Sequence, residues 1–140
     1  MTAPPAEKSA RSVGDRWTPA LAKRWTPVSS FFLENYHRLP LTKGGGLTSS
    51  EAMLLIHLID YKWTDEAPWP SVAALAKRMD ITRRAVRLSL AKLEEKGLLR
   101  RVVAPGRNRS NRYVLDGLFA QLEALLAQDN AMRARPGGGA

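Results

Sequence analysis

The sequence predicts a mainly α-helical fold with one small β-hairpin. Three observations carry this expectation. Within residues 71–97, two apolar stripes at helical spacing are separated only by the short turn "MDI", Met79 to Ile81. Beyond Gly97, two β-rich runs, "LLRRVVA" and "NRYVL", flank a glycine-punctuated basic loop, the arrangement of a hairpin. The net charge of +9 is confined to one stretch: residues 77–112 hold twelve Lys and Arg against three Asp and Glu, and the rest of the chain carries ten of each sign. A solvating surface mixes both signs, so a basic excess gathered in one segment is the electrostatic footprint of an anionic partner.

The elements follow in order. Residues 1–15, rich in Pro, Ala, Ser and charge, and the tail at 132–140 are expected to be disordered. Residues 16–46 form an N-terminal arm and a short helix. The arm repeats "RWTP", and Trp17 and Trp25 are expected to pack over the core, with contact to a partner chain or to nucleic acid as the alternative. "SSFFLENYHRL" reads as a helix with Phe32, Leu33 and Tyr36 on one face, ended by Pro40. "LTKGGGL" reads as a flexible loop. Thr48 and Glu51 have capping-box spacing and open a helix apolar on most sides, the central core helix. Ser71 is placed to cap the next helix, with Val72, Leu75 and Met79 in register, and Thr82 to cap the one after, with Val86, Leu90 and Leu93 as its core stripe. Gly97 stops that helix. Residues 47–116 make the main domain, and residues 117–131 a C-terminal amphipathic helix with Leu118, Leu122, Leu125 and Leu126 on one face.

Composition excludes several function classes. The chain of 140 residues suggests one domain with a modest core. It has no cysteine, hence no disulfide framework and no thiolate metal site. Two histidines, His37 and His57, are too few for a metal centre, and neither has a nucleophile beside it. Lys43 precedes Gly44, Gly45 and Gly46, the reverse of the order a phosphate loop needs. No window approaches the apolar length of a membrane span, and the N-terminus lacks a signal-peptide core. The expectation is a non-enzymatic cytoplasmic protein, associated with the nucleoid, without cofactor or metal.

Two short helices joined by a tight turn form a helix-turn-helix unit, whose second helix enters the DNA major groove by its N-terminal end. The stretch "WPSVAALAKRMDITRRAVRLSLAKLEEKGLLRR" resembles the winged helix-turn-helix of bacterial, phage and plasmid regulators and of replication-associated DNA-binding proteins. The matching elements are "PS", "LA", the turn, "TRRAV" and "LEEKGLL", and "GRNRSNRYVL" resembles the wing. The resemblance covers about residues 47–116 and departs at Asp80, where the family turn usually has glycine. It implies the winged helix-turn-helix fold, and double-stranded DNA as partner.

On the expected recognition helix, residues 82–96, Thr82, Arg83, Arg84 and Arg87 cluster in the first two turns, where base edges are met, with Leu88 beside them as a thymine-methyl contact or an exposed leucine. Lys77, Arg78 and Lys92 are phosphate candidates. In the wing, residues 105–112, Arg107, Asn108, Arg109, Ser110, Asn111 and Arg112 are placed to meet the backbone or a narrow minor groove; Tyr113 reads as packed. The function expected is sequence-specific DNA binding, most simply in transcriptional regulation. A plasmid or phage replication or maintenance protein that binds origin-like repeats is the alternative, and a winged-helix protein-interaction module a further one. A homodimer through the C-terminal helix, the N-terminal arm or both is expected.

Overall fold

The computed structural model describes residues 10–40, 46–62, 67–103 and 111–134, and the side chains of these from residue 13 onward. The glycine loop at 41–45, most of the wing loop (104–110) and both chain ends lie outside the described residues. Among the described residues, six α-helices and two strands run in the order α1 (Ala10–Arg16), α2 (Ser30–Asn35), α3 (Ser49–Asp60), α4 (Val72–Met79), α5 (Arg83–Glu95), β1 (Arg100–Val102), β2 (Arg112–Val114) and α6 (Asp116–Ala134). Single 3-10 turns sit at Leu21–Lys23 and Tyr36–Arg38. This is the expected mainly α fold with a two-stranded antiparallel hairpin.

Each core helix starts where its cap predicts. At α3 the Thr48 hydroxyl accepts from the Glu51 amide at 3.1 Å, and the Glu51 carboxylate accepts from the Thr48 amide at 2.9 Å. Two amides left free by the helix geometry are thereby satisfied. Ser71 caps α4 through the Ala74 amide at 3.0 Å, and Thr82 caps α5 through the Ala85 amide at 3.0 Å. Leu54, Leu55 and Leu58 of α3, Leu75 of α4 and Val86, Leu90 and Leu93 of α5 are all buried and meet in one core. Leu98, Leu99, Tyr113, Leu115, Leu118 and Leu125 close it from the hairpin and α6.

The hairpin pairs Arg100 with Val114, Arg101 with Tyr113 and Val102 with Arg112. The Tyr113 amide also donates to the Pro68 carbonyl at 2.9 Å, which ties the segment before α4 to the outer side of β2. Two glycines allow the chain to return. Gly97 has φ of +73°, the left-handed region that ends α5. Gly117 lies so close to that turn that a Cβ on it would sit 2.0 Å from the Gly97 carbonyl oxygen. The backbone crossing there is closed by the Leu118 amide donating to the Leu98 carbonyl at 3.0 Å.

Several expectations are corrected. Trp17 is 70% exposed and Trp25 40% exposed, so neither is packed over the core; the arm that carries them runs along the outside. Residues 10–15, expected to be disordered, are in α1. Val13 and Trp17, one turn apart, line the same small hollow, which gives this short helix something to cover. In α2, Leu33 is exposed whereas Phe32 is buried and stacks near Tyr36, ring centroids 5.8 Å apart. Leu33 follows Phe32 directly and is rotated about 100° from it, off the core face. In α6, Leu126 is 41% exposed because it lies about 80° around the helix from Leu118, while Leu125 stays on the stripe. That helix continues to Ala134, into residues expected to belong to the tail.

Candidate nucleic-acid interface

The site is built by the turn between α4 and α5. Asp80 occupies the left-handed region, φ 54° and ψ 48°, which is the conformation that turns the chain after Met79. An aspartate there costs less than most residues would, because its short polar side chain tolerates this region. The Ile81 amide donates to the Ala76 carbonyl at 3.1 Å and locks the turn. α5 then starts immediately, with its buried stripe facing the core and its opposite face free.

That free face carries the predicted base-reading set. Thr82, Arg83, Arg84, Arg87 and Leu88 are all exposed, Leu88 by 52%. Thr82 is already engaged as the helix cap, so its hydroxyl is held at the start of the helix. Lys77 and Lys92 are exposed on the flanks. Among the described residues, Arg83, Arg84, Arg87, Lys77 and Lys92 take part in none of the ion pairs. Exposed guanidinium groups without an internal carboxylate are available to an external anion.

Four other basic residues of the segment are committed internally. Arg78 pairs with Asp60 of α3, and its guanidinium lies 4.9 Å from the Tyr61 ring centre. The hydrogen bond to Asp60 raises the Arg78 pKa further above its ordinary value. Lys96 grips both oxygens of the buried Glu51 at 2.9 and 3.0 Å. Arg101 pairs with Glu94 at 2.9 Å and joins the end of α5 to β1. Arg112, expected in the wing contact set, stacks at 4.1 Å on the Trp69 ring and donates to the Ala67 carbonyl at 3.3 Å. It braces the hairpin against the segment before α4. Asn111 is half-buried at the start of β2. Arg107, Asn108, Arg109 and Ser110 lie outside the described residues. Tyr113 is buried, as expected, and burial pushes its phenol pKa up, with Arg101 opposing.

Two residues escaped the sequence reading. Trp69 is 53% exposed at the base of the hairpin, and Arg100 is exposed on β1. In the antiparallel register Arg100 faces Val114, and Val102 faces Arg112, so these side chains share the sheet face opposite Tyr113. Alternation along "RRV" and "RYV" was the available signal for Arg100. Nothing local in the sequence joins Trp69 to Arg112.

A tight left-handed turn, a cationic second helix and a hairpin directly after it define a winged helix-turn-helix fold. Residues 45–99 match a family described as "Helix-turn-helix domain". Among solved structures, the chain is similar to the N-terminal domain of DnaD protein from Geobacillus kaustophilus HTA426, with 23% identity and a TM-score of 0.60 over 85% of this chain and 94% of that one. It is also similar to RV1404 from Mycobacterium tuberculosis, with 16% identity and a TM-score of 0.47 over 89% and 78% of the two chains. A third likeness, 21% identical with a TM-score of 0.41 over 92% and 82%, is to the transcriptional regulator PA3341. No curated protein matches the sequence. Among the described residues there is no helix long and apolar enough to cross a membrane and no acidic or histidine cluster fit for a metal.

Proposed function

We propose that this chain binds a specific sequence of double-stranded DNA and regulates transcription, with α5 in the major groove and the wing, residues 105–112, on the backbone or minor groove. The observation that carries the reading is the sorting of the basic residues. Arg83, Arg84 and Arg87 stand exposed and without ion pairs at the start of α5, while Arg78, Lys96 and Arg101 are held by carboxylates of the protein itself. Phosphate contacts by Lys77 and Lys92 supply affinity and register; arginine hydrogen bonds to guanine O6 and N7 supply sequence preference. Arg107 and Arg109 add grip from the wing. The protein acts by binding alone, in the cytoplasm, without catalysis or cofactor. It works as a homodimer, so that two recognition helices meet half-sites about 34 Å apart on a twofold site.

The test is selection of bound duplexes from a random pool. A recovered palindrome supports a dimeric regulator. Recovered tandem direct repeats would point instead to a replication or maintenance protein. A pool that leaves the selection with no enriched sequence refutes specific recognition, and absence of binding even at low salt turns the reading toward a protein-interaction module.

A further inference from the structure

A cleft of about 670 Å³ separates the N-terminal arm from α3 and α4. Its volume falls in the range of small-molecule sites. The arm supplies Lys23, Arg24 and Trp25, and the core helices supply His57, Asp60 and Arg78. A second hollow of about 310 Å³ adjoins it and shares Arg24 and Trp25, so the indole forms a wall common to both.

The charges in this cleft are not balanced. Among the described residues Asp60 is its one carboxylate, and it is already matched: it accepts from the Thr26 hydroxyl and pairs with Arg78. Lys23 and Arg24 are exposed and, among the described residues, paired with no carboxylate. Burial first, then the Arg78 charge, holds the His57 pKa below its ordinary value against the pull of Asp60, so this imidazole is neutral at pH 7 and offers a hydrogen bond without a counter-ion. Trp25, 40% exposed, and Leu21, 59% exposed, give the same cleft a flat apolar side. A concave site with two unmatched cations beside an open indole complements a ligand that has a ring and a negative charge.

We propose that this cleft binds a planar organic anion, an aromatic carboxylate by chemical class, with its ring against Trp25 and its carboxylate on Lys23 and Arg24. The site is joined to the DNA-binding unit through Asp60. That one side chain holds Thr26 of the arm and Arg78 of α4, the helix that positions the turn into α5. Thr26, Asp60 and Arg78 all line the cleft, so a ligand seated there bears on the contact between arm and α4, and occupancy is felt at the helix-turn-helix.

The experiment titrates the full chain, without DNA, with benzoate, with inorganic phosphate (charge without a ring) and with benzyl alcohol (ring without a charge). The readout is the indole N–H resonance of Trp25, assigned with Trp25→Phe. Benzoate is expected to shift it saturably, at least about fivefold more tightly than either control. The double variant K23Q/R24Q is expected to weaken benzoate by about tenfold or more with an unchanged circular dichroism spectrum, since neither side chain makes an ion pair among the described residues. Three outcomes overturn the proposal: no saturable shift with benzoate, a shift that survives in K23Q/R24Q, or phosphate binding as tightly as benzoate. A short duplex that moves this indole while benzoate does not would assign the arm to nucleic acid and also overturn it. None of these outcomes bears on α5, whose DNA binding is read separately.

Discussion

Glu51 does two things with one carboxylate. It closes the capping box of α3 and it holds Lys96 at the end of α5, 45 residues away. Burial pulls its pKa up, but the Thr48 amide, then Lys96, outweigh that and hold it below the usual glutamate value. Because the folded state binds this proton less readily than the unfolded state, the stabilisation is present above the unfolded glutamate pKa and is lost as pH falls below it. Glu51→Gln keeps an acceptor for the cap and removes the charge. It is expected to cost about 2 kcal/mol in urea unfolding at neutral pH and to flatten the acid limb below about pH 4.5. A variant as acid-sensitive as the parent would disprove this role. At the proposed DNA face the two kinds of contact separate by substitution. Arg87→Ala is expected to lose about 1–3 kcal/mol on the selected duplex and much less on a scrambled one. Lys77→Ala is expected to weaken both alike and to lower the salt slope by about one. Equal losses for Arg87→Ala on both duplexes would place it among the phosphate contacts.

At the scale of elements, the turn between α4 and α5 depends on one backbone conformation. Glycine adopts the left-handed region without steric cost, whereas a β-branched residue meets the full penalty. Asp80→Gly is therefore expected to leave stability unchanged or raise it by up to about 1 kcal/mol, and Asp80→Val to lower it by about 1–2 kcal/mol, as read by thermal unfolding. A less stable glycine variant would mean that the Asp80 side chain does more than tolerate the turn. This turn, and the helices on either side of it, were legible because everything that defines them is local: Ser71 and Thr82 as caps, the stripe of Val86, Leu90 and Leu93, Gly97 as stop. What was not legible depends on distant chain. No local pattern shows that Asp60, 18 residues before it, pairs with Arg78, or that Trp69 lies beneath Arg112. The arm failed for a similar reason. Composition marks tryptophan as a core residue, but whether a core is open to receive it is decided by the packing of α3, α4 and α5.

For the whole molecule, the twelve Lys and Arg of residues 77–112 overstate the cations free for an external anion, since Arg78, Lys96 and Arg101 are spent on internal carboxylates. His57 gives the fold a second pH dependence, in a different window from Glu51. Its lowered pKa means that the folded protein resists protonation there, so the stability it contributes is complete above the ordinary histidine value of 6.5 and declines as pH falls below it. Melting temperatures are expected to drop between about pH 7 and about pH 5.5, and His57→Gln to reduce that drop; an unchanged slope would clear His57 of the effect. The dimer proposed for DNA binding is checked by light scattering, where twice the chain mass is expected on the selected palindrome. A single chain mass both free and on DNA would rule it out.

The crossing at Gly97 and Gly117 has a practical meaning for the hairpin. The Leu118 amide meets the Leu98 carbonyl at the foot of the hairpin, and Leu99, Tyr113 and Leu115 anchor its strands in the core, so the loop beyond Val102 springs from a base that is already closed. The loop between Val102 and Arg112 can therefore be lengthened, shortened or exchanged, while the junction that seats α6 on the end of α5 stays as it is.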